Sequence, residues 1–263
     1  MWQVRMESNS PVHRADARVK VTLTLAFILF LNMAPHQAWP IYILFLTVLL
    51  SMILLARMSI WRVIRRTLLV TPFILAAFPL IFSGPVPHLS ISIFGSDVIK
   101  YSPEGLGRFI SIAVKAWLST SAAIMLTLTT SFPDILTALA YYGVPKLFIA
   151  ILGLMWRYLF IINDEVLRMM RARDSRSAVT PCTQQVGGSL FWRARVTGSM
   201  VGSLLLRSLE RSVRLYAAML SRGYNGELFT LEANALSHTE RRILSLGVLL
   251  LGVLWGMSLF IGD

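Results

Sequence analysis

The chain has 263 residues, 56 % of them hydrophobic and only 14 % charged, where a soluble domain carries roughly 25 % charge. Such a chain lacks the polar residues to cover a water-facing surface. The composition also excludes a disordered chain, a collagen-like chain and, with Cys182 as the single cysteine, a disulfide scaffold. The net charge is +12 and 21 of the 25 basic residues are Arg, but they lie between long charge-free runs. A nucleic-acid binder is polar throughout, with basic residues along the chain or on one face, so no nucleic-acid partner is expected.

Residues 1–20 form a polar lead-in. It does not read as a secretory signal, because the apolar run that follows far exceeds a signal core of about 7–15 residues. Val21 to Ala56 is a charge-free run of 36 residues, long enough for two helices. Pro35 and Pro40 mark the break between them, giving candidate spans 21–34 and 40–56. Residues 57–66 carry Arg57, Arg62, Arg65 and Arg66 without an acid, as a cytoplasmic loop does under the positive-inside rule.

A third apolar segment covers 67–83 and is weakened as a span by Pro72 and Pro79. A loop follows from Ser83 to Pro103, in which Leu89, Ile91 and Ile93 alternate like a short strand. Further apolar segments cover 105–130, 144–163 and 243–261. A bilayer crossing needs about 20 apolar residues. If the basic loop at 57–66 and the Arg-rich region after 164 share one side, an even number of crossings separates them, yet three apolar segments lie between. Either one of these is re-entrant or a basic loop is misplaced. The chain therefore reads as an all-α polytopic membrane protein with five or six membrane helices.

From Arg157 to Arg222 there are 11 Arg, no Lys and four acids. This region is expected on the cytoplasmic side and mainly helical. Asp164-Glu165 opens one helix, with Glu165 and Arg168 at i,i+3 and Met169 and Met170 on one side. Thr180 to Gly188 reads as a break. Residues 204–222 read as a second helix. Its seam of Leu206, Leu209, Val213, Tyr216 and Leu220 has 3-4-3-4 spacing and is expected to pack against neighbouring helices. Arg207, Arg211, Arg214 and Arg222 form an adjacent stripe, and Glu210 can pair with Arg214. Gly223 ends the helix and leaves Arg222 at a C-terminus, where the helix dipole favours a cation. Gly198-x-x-x-Gly202 reads as a close helix contact. Arg and Met on short helices suit docking on another protein. The same Arg residues also read as topology signals or contacts with membrane lipid.

The chain has no P-loop, no dinucleotide fingerprint and no His or Cys pair at metal-ligand spacing. No catalytic, cofactor-binding or metal-ligating residue is expected. Lys115 is the one charge deep inside an apolar segment. It is either functional, or it snorkels or pairs with a helix-end carboxylate such as Glu104. Asp134, Asp164 and Glu165 would be the acids of a membrane enzyme acting on lipid-linked phosphates, an alternative that lacks a paired Asp-x-x-Asp motif. A channel or carrier would need more polar residues along its helices than Lys115 and Asn32.

Several segments together resemble the transmembrane (T) component of energy-coupling factor transporters, in particular the CbiQ-type cobalt transporter subunit. Ser10-Pro11-Val12-His13-Arg14-Ala15-Asp16-Ala17-Arg18-Val19-Lys20 is similar to the family's opening, and Thr130-Ser131-Phe132-Pro133-Asp134-Ile135-Leu136 to a mid-chain element. Arg157-Tyr158, Asp164-Glu165 and Arg168 to Arg176 resemble a first coupling region. Leu206 to Arg211 with Ala218 to Glu227 resemble a second. The family's short Ala-Arg-Gly signature reads Ala172-Arg173-Asp174 in one copy and Ser221-Arg222-Gly223 in the other.

The resemblance implies a non-catalytic membrane scaffold in a prokaryotic inner or plasma membrane. It would join two cytoplasmic ATPase subunits to a separate substrate-binding membrane subunit, with cobalt as the substrate and nickel or a vitamin as alternatives. It implies an N-terminal membrane domain over 1–163, a cytoplasmic coupling-helix region over 164–228 and a C-terminal membrane helix over 240–263. Arg173 and Arg222 would seat in the ATPase subunits. They would be supported by Ala172, Ser221 and Gly223 and by Arg171, Arg176, Arg207 and Arg211.

Overall fold

A computed structural model describes residues 15–36, 38–79, 89–93, 96–101, 103–176, 189–224 and 237–262. In chain order the elements are α1 (Ala17–Met33), α2 (Trp39–Leu55), α3 (Ile60–Thr67), a 3-10 turn (Leu68–Val70), α4 (Thr71–Leu75), β1 (Leu89–Ile93), β2 (Ser96–Tyr101), α5 (Pro103–Thr129), α6 (Phe132–Tyr141), α7 (Lys146–Arg176), α8 (Leu190–Leu220) and α9 (His238–Gly262). They form two compact units. One holds α1 to α6 with α9, and the other holds α7 and α8. The protein is an all-α polytopic membrane protein. Its one small exception among the described residues is the antiparallel hairpin β1–β2, which pairs Leu89 with Tyr101 and Ile93 with Ser96. The alternation at Leu89, Ile91 and Ile93 marked the first of these strands.

Local signals set the helix ends. The Asp16 side chain accepts from the backbone N–H of Arg18 at 2.9 Å and starts α1. Pro40 falls in the first turn of α2, where its missing N–H leaves no bond unmade. Ser131 caps α6 and donates to Asp134. The Glu240 side chain reaches back to the Ser237 N–H at 3.0 Å at the start of α9.

Three helical stretches, Gly105–Thr129, Lys146–Arg176 and His238–Phe260, are long and apolar enough to cross a membrane. α1 and α2 have 17 residues each, at the short end of the spanning range. The segment expected over 67–83 is not one helix in its described part. It is a three-residue 3-10 turn and the five-residue α4, each too short to cross, and Pro72 lies in the first turn of α4. Its last residues lie outside the described ones.

The first unit packs around α1. Phe27 and Leu31 share one buried cluster with Phe45, Ile41 and Leu49 of α2, Val63 of α3, Leu118 of α5 and Leu251 of α9. The rings of Phe27 and Phe45 stand edge to face at 5.4 Å. α9 approaches α1 closely at Gly247, where a Cβ would sit 2.5 Å from a Leu23 methyl. Many large apolar side chains on the outer faces stay exposed, among them Ile43, Leu54, Leu246 and Leu249. In water such a surface would drive association; in a bilayer it is the expected lipid contact.

Inside this apolar unit the antiparallel helices α1 and α5 cap each other. Lys20 of α1 donates to the Thr129 carbonyl in the last turn of α5 at 3.3 Å. Lys115 of α5 donates to the Ala34 carbonyl at 2.6 Å and the Asn32 carbonyl at 3.2 Å, at the end of α1. The carbonyls at a helix C-terminus have no intrahelical donor and carry the negative end of the dipole, so each ammonium meets its complement. Lys115 thus engages the backbone carbonyls that end α1. Asn32–Ser119 at 3.4 Å, His36–Ser111 at 3.2 Å and the buried Thr67–Ser121 pair at 3.2 Å add further polar links to α5.

Replacing Lys115 by Met keeps the bulk and leaves the end of α1 without its donor. The loss should be roughly 3 kcal/mol, the scale of a buried charge-assisted bond and its unsatisfied acceptor. Thermal unfolding in detergent should show a lower midpoint for Lys115→Met than for Thr127→Ala on the exposed side of the same helix. Equal midpoints would contradict the capping role.

Candidate functional site

The Arg-rich region is built on two long helices. α7 has 31 residues and runs without interruption from its apolar first half into the Arg-bearing second half. The expected helix start at Asp164 is therefore absent: Asp164 and Glu165 lie inside α7. Charged residues do not break a helix, and the stretch contains neither Gly nor Pro after Gly153. α8 also has 31 residues and begins well before the expected 204. Ser189 caps it through the Trp192 N–H at 3.3 Å. The expected break at Thr180 to Gly188 lies outside the described residues, as do residues 225–227 at the end of the second expected coupling region.

Glu165 joins the two helices. Its carboxylate lies 3.4 Å from Arg207 and 3.3 Å from Arg211, and its side chain is only 18 % exposed. Sequence spacing had pointed to Arg168 in the same helix. That residue instead donates to the Asp164 carbonyl at 3.4 Å. Between the helices lies a cleft of about 820 Å³. Ala172, Arg173 and Arg176 of α7 line it together with Arg207 and Arg211 of α8. Trp192, Val196, Ser199, Met200 and Ser203 supply the rest of the α8 wall.

The expected seam of α8 does not face α7. Leu206, Leu209, Val213, Tyr216 and Leu220 are 50–69 % exposed, and the face towards α7 is the one carrying Trp192, Val196, Met200 and Ser203. The regular 3-4 spacing describes a real apolar stripe, one that no residue covers among the described residues. The close contact read from Gly198 and Gly202 is also absent among the described residues, since a Cβ on either would meet nothing within 4 Å. Glu210 and Arg214 do pair, at 4.0 Å with both side chains about 70 % exposed, where an ion pair contributes little.

Arg173 lies in the last turn of α7 and forks onto Asp174 at 3.1 and 2.8 Å. Ser175 returns a bond to the Ala172 carbonyl. Arg222 lies just past the end of α8. The Gly223 N–H donates to the Leu220 carbonyl and the Tyr224 N–H to the Met219 carbonyl, both at 3.0 Å, with Gly223 at φ 82°. These are the two bonds of a Schellman motif, whose left-handed residue suits Gly. Ser221 and Gly223 thus fix where the Arg222 backbone stands.

The two arginines are far apart. Arg173 and Ser199 line one cleft, and Arg222 follows Ser199 by 23 residues, a rise of about 35 Å at 1.5 Å per residue. Arg171 points along its own helix, donating to the Leu167 carbonyl at 3.2 Å. Sequence reasoning missed Glu165 as the joint between the helices. No short-range pattern reveals a pair formed across 42 residues.

Glu165→Gln should loosen the helix pair by about 1 kcal/mol, the scale for partly exposed ion pairs. Spin labels at Ala172 and Ser199 should then give a broader distance distribution by pulsed electron resonance. An unchanged distribution would show that Glu165 does not set the pairing.

The sequence profile of the CbiQ family, described as cobalt transport protein, matches residues 8–231. The cobalt transport protein CbiQ of Rhodobacter capsulatus is 27 % identical over 154 residues, 58 % of this chain and 59 % of that protein. The transmembrane protein EcfT of the energy-coupling factor transporter of Thermanaerovibrio acidaminovorans is 29 % identical over 231 residues, 83 % of this chain and 81 % of its own. The nickel permease LarQ of Lactiplantibacillus plantarum is 33 % identical over 127 residues, 48 % of this chain and 43 % of its own. The matched span takes in α1 to α8, with both Arg-bearing helix ends, and the chain belongs to the CbiQ family of cobalt transport proteins.

Proposed function

We propose that the chain is the membrane coupling subunit of an ATP-driven importer of the energy-coupling factor type. Its substrate would be a transition-metal ion: cobalt first, by the family it belongs to, with nickel the near alternative and a vitamin a more distant one. It would lie in the inner or plasma membrane of a prokaryote, with α7 and α8 reaching the cytoplasm. Two cytoplasmic ATPase subunits would hydrolyse ATP, and a separate membrane subunit would bind the metal. The chain itself would transmit motion and catalyse nothing.

The observation that carries this reading is the pair of Arg-bearing helix ends. Arg173 and Arg222 sit at the ends of two helices that Glu165 ties together, about 35 Å apart along α8. That spacing suits two separate protein partners better than one small ligand. Ala172, Ser221 and Gly223 set the backbone beneath the two arginines. Arg176, Arg207, Arg211 and Arg171 keep the surrounding surface cationic for acidic grooves on the partners. A push on either end is carried by helices, which transmit displacement with little loss.

The alternative of a membrane enzyme finds no support in its carboxylates. Of its three candidate acids, Glu165 is held by two arginines and Asp134 accepts from Ser131 in the cap of α6, which leaves Asp164 without a second acid to work with.

If each arginine seats in one ATPase subunit, Arg173→Ala or Arg222→Ala should each weaken uptake while leaving one attachment. The double variant should release the ATPase subunits or uncouple hydrolysis from uptake. Losing one partner of a desolvated charge pair costs about 2–5 kcal/mol, more than tenfold in affinity. Arg65→Ala, on an exposed position of α3, should behave as wild type. Pull-downs and metal uptake decide it, and a double variant that assembles and transports normally would overturn the proposal.

A further inference from the structure

We propose that the cleft between α7 and α8 is a binding site for a phosphate-bearing anion. The site belongs to this chain alone and does not depend on the coupling role of Arg173 and Arg222.

Charge is the first argument. Arg168, Arg173, Arg176, Arg207 and Arg211 line the cleft, and among the described residues Glu165 is its only lining acid. Glu165 is shared by Arg207 and Arg211, and Arg173 is engaged by Asp174. Arg168 and Arg176 have no carboxylate within 4.0 Å among the described residues. Five guanidinium groups therefore face two carboxylates around one concavity. Like charges so gathered repel one another, and an anion with several oxygens relieves that repulsion.

Shape and residue type narrow the ligand. The cleft, at about 820 Å³, is in the size range of small-molecule sites, roughly 300–1,000 Å³. Every cation lining it is Arg, whose planar fork grips phosphate oxygens two at a time. Met169, Trp192 and Met200 add an apolar bed beside the charges. Depth is the last argument. Arg157 apart, α7 carries no charge between Lys146 and Asn163, and Arg168 follows Asn163 by about 7–8 Å of helix rise. That distance is comparable to the thickness of a lipid headgroup layer. The same phosphate chemistry could come from a headgroup of the bilayer or from a free phosphate compound in the aqueous phase.

The test uses the full chain in phosphatidylcholine nanodiscs. One arm adds phosphatidylglycerol and follows its retention by native mass spectrometry. A second titrates pyrophosphate by calorimetry, and a third titrates an oligoglutamate peptide. Preferential retention of phosphatidylglycerol identifies a headgroup, and saturable binding of pyrophosphate identifies a free phosphate. In either case Arg168→Ala with Arg176→Ala, both exposed positions, should weaken binding roughly tenfold or more. Arg168→Lys with Arg176→Lys should fall between, having charge without the fork. Arg65→Ala with Arg66→Ala removes the same charge from α3 and should change nothing. The proposal is overturned if neither phosphate source binds, if only oligoglutamate binds, or if the α3 pair weakens binding as much as the cleft pair.

Discussion

The carboxylate of Glu165 sits where an apolar helix becomes a cationic one, and the pairing of α7 with α8 depends on it. Within a single unbroken α7, a mostly apolar stretch gives way to four arginines in nine positions, Arg168 to Arg176. Without a counter-charge, arginines on a second helix would be repelled from that surface. Glu165 supplies the counter-charge to two of them at once and fixes which face of α8 turns inward. The consequence is an asymmetric pair. One face of α8 lines a cleft with α7, and the face bearing Leu206, Leu209, Val213, Tyr216 and Leu220 is left open.

The membrane unit solves a different problem with the same economy of charge. Helix ends inside an apolar unit expose carbonyls that no water satisfies. Lys20 and Lys115 each serve the C-terminal end of the other's helix, so that two side chains satisfy both ends. Asp16, two residues before Arg18 and four before Lys20, starts the helix whose first turns then engage α5 and α6. Buried Arg18 lies 4.7 Å from the centre of the Tyr141 ring at the end of α6. The lead-in and the mid-chain element around Ser131, which resemble two separate family motifs, thus meet at one junction.

Much of this was legible in the sequence because composition and local pattern decide it. Charge-free runs gave the apolar helices, Pro72 and Pro79 warned that 67–83 was a poor span, and Gly223 gave the end of α8 with Arg222 at its cap. The alternation from Leu89 to Ile93 gave one strand of the hairpin. What was not legible depends on pairing at long range. The partner of Glu165 is 42 and 46 residues away, and the carbonyls that hold Lys115 are 81 and 83 residues away. The seam of α8 was visible as a pattern, but a pattern does not say what covers it. Asp164 misled because acids often open helices, while nothing there breaks the helix already running.

The central claim is that α7 acts as one rigid element, so that the rotational phase of its cationic half is fixed by its apolar half. Inserting a single alanine between Asn163 and Asp164 turns everything beyond it by about 100° while leaving both halves and every arginine intact. Metal uptake should be measured in cells that supply the partner subunits, for insertions of one and of four alanines. The account predicts loss of uptake with one alanine and partial recovery with four, which restore the phase to within about 40°. Uptake at the wild-type rate with a single inserted alanine would contradict it.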